Sequence, residues 1–272
     1  MSGTSHGAVQ TLRWLRWGRI ALAGLWAPAL LLALWWVLSA DGTSTFYPPL
    51  QKIAARLREL WIDGSTAQVL IPSLANLARG YGLAVLLGMS AAVAFWRLPR
   101  LLTAARPTLF FLYALPAIAT LPALISIFGI GTGRQIAFIA YGAFWPTLLN
   151  TIDGLRSVDA VKIDTAVAMR LSRSQMQRWV VLPAAMPQIV AGLRSSLQVA
   201  IILMIVSEMV GSHEGLGYFI LQSQSVFAIM DMWTGILVLA GLGMLINYTF
   251  VTIEHRVLSW HYRSRDISRA GK

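Results

Sequence analysis

One carboxylate stands apart in this 272-residue sequence: Glu208, set deep in the apolar run Ile189 to Val210. An acid near the middle of a bilayer costs about 2.5–3.5 kcal/mol on insertion scales, so it must be paired, sit near an interface or line a wet cavity. Two readings follow. Glu208 is a helix-end acid held by Arg79 or by a backbone amide, or it forms part of an outer gate or solute path. Little else has the makings of chemistry. There is no cysteine, hence no thiol nucleophile and no thiolate metal site. Of His6, His213, His255 and His261, only the last two are close, and their separation of six is not that of a helical ligand pair. The lysines are Lys52, Lys162 and Lys272, and none ends a G-x-x-x-x-G-K-[ST] loop, so ATP phosphates have no cradle of the usual kind here. No G-x-S-x-G and no paired carboxylates occur. The chain is read as non-catalytic, with no cofactor or metal of its own.

The elements that hold these residues are membrane helices. The sequence is 57% hydrophobic and only 12% charged, where soluble domains carry about 25% charged residues. A net charge of +11 in a soluble protein would suggest nucleic acid. In a chain of apolar runs it reports basic loops on the cytoplasmic face, and no nucleic-acid partner is expected. The fold class is all-α, a polytopic membrane protein of about six transmembrane helices.

The first span is Ile20 to Leu38, after a basic start with Arg13, Arg16 and Arg19; it is longer than the roughly 7–15-residue core of a signal peptide. Leu50 to Trp61 is amphipathic, with Ile53, Leu57 and Leu60 opposite Lys52, Arg56 and Glu59, and is expected to lie along the membrane surface. The second span, Leu74 to Phe95, carries Arg79 near its start, and its glycines and alanines suit close helix packing. The third, Pro107 to Gly129, is interrupted by Pro116 and Pro122, which makes it a candidate path-lining helix as well as a plain kink. Phe128 to Gly133 is a tight outer turn. The fourth span is Arg134 to Thr151, the fifth Ile189 to Val210, with Arg194 near its inner end, and the sixth Met232 to Ile253. Sixteen cations fall on the proposed inner side and four on the outer: Lys52, Arg56, Arg58 and Arg134. That asymmetry places both termini in the cytoplasm and makes the number of spans even.

Between the fourth and fifth spans lies 156–187, with five cations and only Asp159 and Asp164 as acids. A segment so polar cannot sit in hydrocarbon. Ser157 is expected to cap a first short helix from about Val158 to Arg170. Ser172 with Gln175 forms a capping box for a second, ending before Pro183, with Met176, Trp179 and Val180 as its apolar stripe. Spacing alone fits a solvated loop or a docking element.

The run from Asp164-Thr165-Ala166 to Leu182-Pro183 resembles the EAA loop of bacterial ABC importer permeases, with Asp164 for the family's Glu and Arg170 where the family places Gly. Pro116, Pro122 and Phe128-Gly129-Ile130-Gly131, then Gly192-Leu193-Arg194, Glu208 and Gly215-Leu216-Gly217-Tyr218, are similar to permeases for nitrate, sulfonate and taurine. This resemblance implies a type I ABC importer transmembrane fold in a bacterial inner membrane. It divides the chain into 1–72, with the first span and the outer helix, a permease core at 73–256, and a basic cytoplasmic tail at 257–272. It further implies a second permease copy, cytoplasmic ATPase subunits that bind the ATP, and an external substrate-binding protein. Asp164, Thr165, Ala166, Val167, Ala168, Arg170 and Pro183 would form the ATPase-docking element. Pro116, Pro122, Arg79, Arg194 and Glu208 are candidates for the path of a small anionic solute.

A membrane enzyme or scaffold is the rival class, but the loops show no clustered His, Asp or Glu. A secondary transporter would show matching broken helices in its two halves, and the sixth span has no counterpart to the Pro116/Pro122 break.

Overall fold

The computed structural model describes residues 26, 29–39, 46–62, 64 and 66–260. The basic residues at 13, 16 and 19, most of the tail with His261, and much of the first predicted span lie outside them. The described residues form helices and no strand. In chain order these are α1 (Ala29–Leu38), α2 (Leu50–Leu57), which widens into a π turn at Arg58–Ile62, α3 (Thr66–Arg97) and α4 (Pro99–Ala114). Next come a 3-10 turn at Ala117–Thr120, α5 (Leu121–Phe128), α6 (Thr132–Arg156), α7 (Ala160–Ala168) and α8 (Arg173–Met176). A second π turn at Gln177–Val181 leads into α9 (Leu182–Met209), followed by α10 (Leu216–Ser225) and α11 (Ile229–Val257).

The bundle is built around α6, which is packed along α3 on one side and α9 on the other. Both crossings depend on small residues. A Cβ on Gly80 or Gly88 of α3 would sit 2.7 Å from Ile139 or 2.8 Å from Thr147, and one on Gly192 of α9 would sit 2.3 Å from Asn150. The backbones therefore approach closely, and Phe138, Ile139, Ala143, Leu203 and Met204 close the core between them. Hydroxyls and amides tie the three helices at several heights. Asn76 donates to Gln135, Tyr81 to the Leu193 carbonyl at 3.0 Å, Ser196 to the Ala143 carbonyl at 2.6 Å and Gln188 to Asn150 at 3.0 Å.

Among the described residues three helices are long and apolar enough to cross a membrane: Ala67–Arg97, Arg173–Met209 and Ile229–Val257. The expected third span is a bent pair, α4 and the Ala117–Phe128 segment meeting at 92°. Pro116 and Pro122 both belong to this break, and Pro122 opens α5. The bend confirms an interruption and replaces the straight kinked helix that the sequence suggested. α6 is long enough but too polar to qualify. Arg134, Gln135, Thr147 and Thr151 are buried in it, and α3 and α9 shield them.

Arg97, Arg156 and Arg173 gather at one end of the bundle, called here the basic end. Arg79 lies eighteen residues before Arg97 on α3, about 27 Å along the axis, close to one hydrocarbon thickness of about 30 Å. It is exposed and sits one turn from the Asn76–Gln135 contact, at the other end of the bundle. The first turns of α3 project past that level.

The amphipathic helix α2 is not free on a membrane surface. Ile53 is fully buried, and Arg56 makes a two-pronged contact to Asp231 at the start of α11, 2.7 and 3.2 Å. Trp61 donates to Thr234 at 3.0 Å and its ring meets Phe219 edge-on at 5.2 Å. Hydrogen bonds from Arg56 to Asp231 and Glu59 raise the guanidinium pKa above its ordinary value. A raised pKa gives stability that is present below the unfolded value and is lost only as pH climbs past the folded one, so this clamp is constant across the neutral range.

The glycines separate by neighbourhood. Gly80→Val should lower the stability of the purified chain by ~1–3 kcal/mol, through forced separation of α3 and α6. Gly82→Ala, whose Cβ meets nothing within 4 Å, should leave it unchanged or slightly higher. Thermal unfolding of the two variants side by side checks the contrast.

Candidate functional site

Two constructions stand out, one at each end of α9. At the basic end, α7 begins at Asp159, whose carboxylate accepts from the Val161 amide at 2.9 Å. This corrects the expected cap: Ser157 closes α6 instead and donates to the Gly154 carbonyl at 3.0 Å. Asp159 is the better cap because its charge also meets the positive end of the helix. α7 then ends in a full Schellman turn. The Leu171 amide reaches the Ala166 carbonyl at 3.1 Å and the Arg170 amide reaches Val167 at 2.8 Å. Arg170 has φ of +54°. It occupies the left-handed position that favours glycine, at a cost of roughly 1–2 kcal/mol for a residue with a Cβ. The Arg170 substitution noted in the sequence therefore keeps the turn, under strain.

The capping box at Ser172 and Gln175 forms as expected. The second short helix does not stop before Pro183. It runs through the π turn into α9 as one helix, Arg173–Met209. The wide turn absorbs a proline that lacks a donor and whose ring would crowd a regular α-turn. It also shifts the expected stripe. Trp179 faces out at 69% exposure, while Val181 is buried against Leu155, Ala185 and Ile189. Met176, Trp96 and Val93 pack on that cluster, and Arg97 donates to Gln177 at 2.7 Å, so the element stands on α3.

Of the docking candidates, Ala166 is buried and anchors α7, whereas Asp164, Thr165, Val167, Ala168 and Arg170 are exposed. Thr165 satisfies its hydroxyl on the Val161 carbonyl at 2.7 Å. Pro183 is half-buried at the base. Val161, Val167, Met169 and Trp179 are each more than half exposed, and the cations Lys162, Arg170, Arg173 and Arg178 lie among them in sequence, all exposed.

At the opposite end Glu208 is 1% exposed. Its carboxylate accepts from the Gly217 amide at 2.8 Å, at the N-terminus of α10, where the helix dipole favours an anion. Gly215 and Gly217 make this possible. A Cβ on Gly215, which has φ of +103°, would lie 2.5 Å from the carboxylate carbon, and one on Gly217 would lie 2.9 Å from the Glu208 Cβ. Ser73 of α3 takes the Leu216 amide at 2.8 Å. The partner of Glu208 is thus a backbone amide and not Arg79.

Arg134 was counted among the outer solvated cations, and this needs correction. It is fully buried and donates to the carbonyls of Ser207 at 3.2 Å and Val210 at 2.6 Å, closing the C-terminus of α9. Nothing local in the sequence marks that role, since its acceptors lie more than seventy residues away. The remaining path candidates are spread apart. Pro116, Pro122 and Arg79 are exposed, and Arg194 of α9 approaches Glu254 of α11 at 3.9 Å.

A helical membrane bundle with a paired short-helix element at one end is the architecture of a type I ABC importer transmembrane subunit. Two solved structures share it: the inward-facing MetNI methionine ABC transporter, with TM-score 0.62 and 20% identity over 71% of this chain and 95% of that one, and an amino acid ABC transporter crystallised with histidines, with TM-score 0.56 and 15% identity over 75% and 95%. Residues 84–260 match the binding-protein-dependent transport system inner membrane component family, and the chain belongs to it: it is a permease subunit of the ABC importer type. Curated relatives include the aliphatic sulfonates transport permease protein SsuC of Bacillus subtilis, 31% identical over 88% of this chain and 87% of that one. The taurine transport system permease protein TauC of Escherichia coli is 29% identical over 92% and 94%. The bicarbonate transport system permease protein CmpB of Synechococcus elongatus is 28% identical over 84% and 86%.

Glu208→Ala should cost ~1–3 kcal/mol, because the Gly217 amide loses its acceptor in a sealed site. Glu208→Gln, which keeps an accepting oxygen, should cost less. Thermal unfolding with limited proteolysis of the 211–215 loop checks both.

Proposed function

We propose that this chain forms, with a second copy of itself, the membrane path of an importer for a small organic or inorganic anion. It is driven by an ATPase seated on α7 and α8 and supplied by a substrate-binding protein on the other side. The observation that carries this reading is the α7–α8 surface. Apolar side chains as large as Trp179 and Met169 stand in the open on a rigid base at the basic end of the bundle, ringed by cations. A surface of that kind seeks a soluble partner. ATP would be bound by that partner, since the chain has no phosphate loop.

Charge supports the orientation. With Arg134 removed from the solvated outer cations, and Arg56 neutralised by Asp231 and Glu59, the excess at the basic end grows, which favours a cytoplasmic face there and cytoplasmic termini. The substrate class rests on relatives for sulfonates, taurine and bicarbonate. Exposed apolar faces on α4, α5 and α11, including Phe110, Phe111, Ile127, Leu245 and Tyr248, are available to lipid or to the second copy. Arg79, Arg194 and the Pro116–Pro122 break are proposed to border the path, with Arg79 supplying a positive field at its outer mouth.

Val167→Glu should abolish co-purification of the full-length chain with its candidate ATPase and cut substrate-stimulated ATP hydrolysis at least ten-fold, with folding intact. Arg170→Gly should preserve docking and stabilise the turn by about 1 kcal/mol. Unchanged ATPase binding in Val167→Glu would sink the docking assignment.

A further inference from the structure

α4 touches α6 at two heights and leaves a gap beside the one nearer its start, lined in part by Leu102 and Ile152. Near its end, Tyr141 donates to the Leu112 carbonyl at 3.0 Å and Tyr113 leans on Trp145 with ring centroids 6.3 Å apart. Near its start, Leu102 is buried with Ile152 and Leu148. The gap is a cleft of about 120 Å³ at the basic end. Leu109 and Phe110 of α4 and Ile152 of α6 supply apolar walls, and Arg106, Asp153 and Arg156 supply charges. All three charged residues are exposed, and their side chains form no ion pair and no hydrogen bond among the described residues.

Two arginines and one aspartate share a small cleft without satisfying one another. Arg156 is the last residue of α6, and Arg106 lies seven residues into α4, about 10 Å along its axis, so the cluster sits at headgroup depth. Guanidinium forks match phosphate oxygens, while a carboxylate can only accept. The volume is on the order of four water molecules, room for a phosphate and its first substituent but not for acyl chains. Those would lie outside, along the exposed faces of Phe110 and Leu101. Arg97 and Arg100 at the same end add to the positive field.

We propose that this cleft is a phospholipid headgroup site. The phosphodiester binds between Arg106 and Arg156, and Asp153 accepts from a donor on the headgroup, an ammonium N–H or a glycerol O–H. The site selects phosphatidylethanolamine and phosphatidylglycerol over phosphatidylcholine, which has the same phosphate but no donor. It depends on neither the ATPase nor the solute assignment.

The test is native mass spectrometry of the full-length chain titrated with these three lipids of matched acyl chains, alongside thermal unfolding. The wild-type chain should retain the first two at least five-fold more than phosphatidylcholine. Arg106→Gln with Arg156→Gln should lower retention of all three lipids, and Asp153→Ala should erase the preference without changing lipid-free unfolding. Arg100→Gln should behave as wild type. Equal retention of the three lipids by the wild-type chain overturns the proposal, as does undiminished retention in the double variant. Millimolar sodium phosphate reproducing the lipid-induced thermal shift would make this a free-anion site and overturn the lipid assignment. If the double variant does not fold, Arg106→Lys, which keeps the charge but loses the fork, should show intermediate retention, and unchanged retention counts against the site.

Discussion

Every polar group placed at membrane depth must find its partner within the protein, because hydrocarbon offers none. α6 is where this constraint is most severe. It carries a buried guanidinium, an amide and two threonines; α3 and α9 enclose it and bond Gln135, Thr147 and one guanidinium nitrogen of Arg134, while the Thr151 hydroxyl has no protein partner among the described residues. Ser196 and Thr147 both serve the Ala143 carbonyl, one turn from Pro146. Gln135 links Asn76 of α3 to Ser212 beyond α9. The glycines on α3 and α9 bring the backbones close enough for such short side chains to reach. Removing that closeness would strand several of these groups at once.

The two ends of α9 solve a related problem in different ways. At one end Arg134 supplies the donors that the last carbonyls of the helix lack. One turn away, Glu208 supplies an acceptor for the Gly217 amide in the first turn of α10. Opposite charges are thereby buried at the same end of the bundle without being bonded to each other, each matched to the helix terminus whose partial charge it opposes. At the other end no charge is buried. The chain turns through the Schellman bonds after α7 and the Ser172–Gln175 capping box, with Arg170 held in a left-handed conformation, and Lys162, Arg170, Arg173 and Arg178 are exposed.

Much of this was legible in the sequence, and the failures share a cause. The second, fifth and sixth apolar runs, the Pro116–Pro122 break, the glycine turn before α6 and the Ser172–Gln175 box are local patterns, and each appears where spacing put it. Arg170 was conspicuous because it replaced a glycine, and its φ bears out the geometric demand. What could not be read were choices settled by distant neighbours. Arg134 looked like a solvated cation because its carbonyl partners belong to another helix. Met176, Trp179 and Val180 do not form one face because a π turn between Gln177 and Val181 alters the period on which the stripe was drawn. α2 looked like a surface helix because Asp231, which holds it, lies 175 residues on.

The absence of a joint at Pro183 has a mechanical meaning. A single rod of 37 residues, about 55 Å long, runs from Arg173 beside the exposed Trp179 to Met209 beside the buried Glu208. It is continuous from one end to the other, with its irregularities, the π turn and Pro187, both near the basic end. A tilt of about 5° about its foot carries its far tip by roughly 5 Å on that length, enough to tug on the glycine loop fastened there. In the proposed importer, pressure on the small helices would be passed along this one helix to the buried Glu208 end.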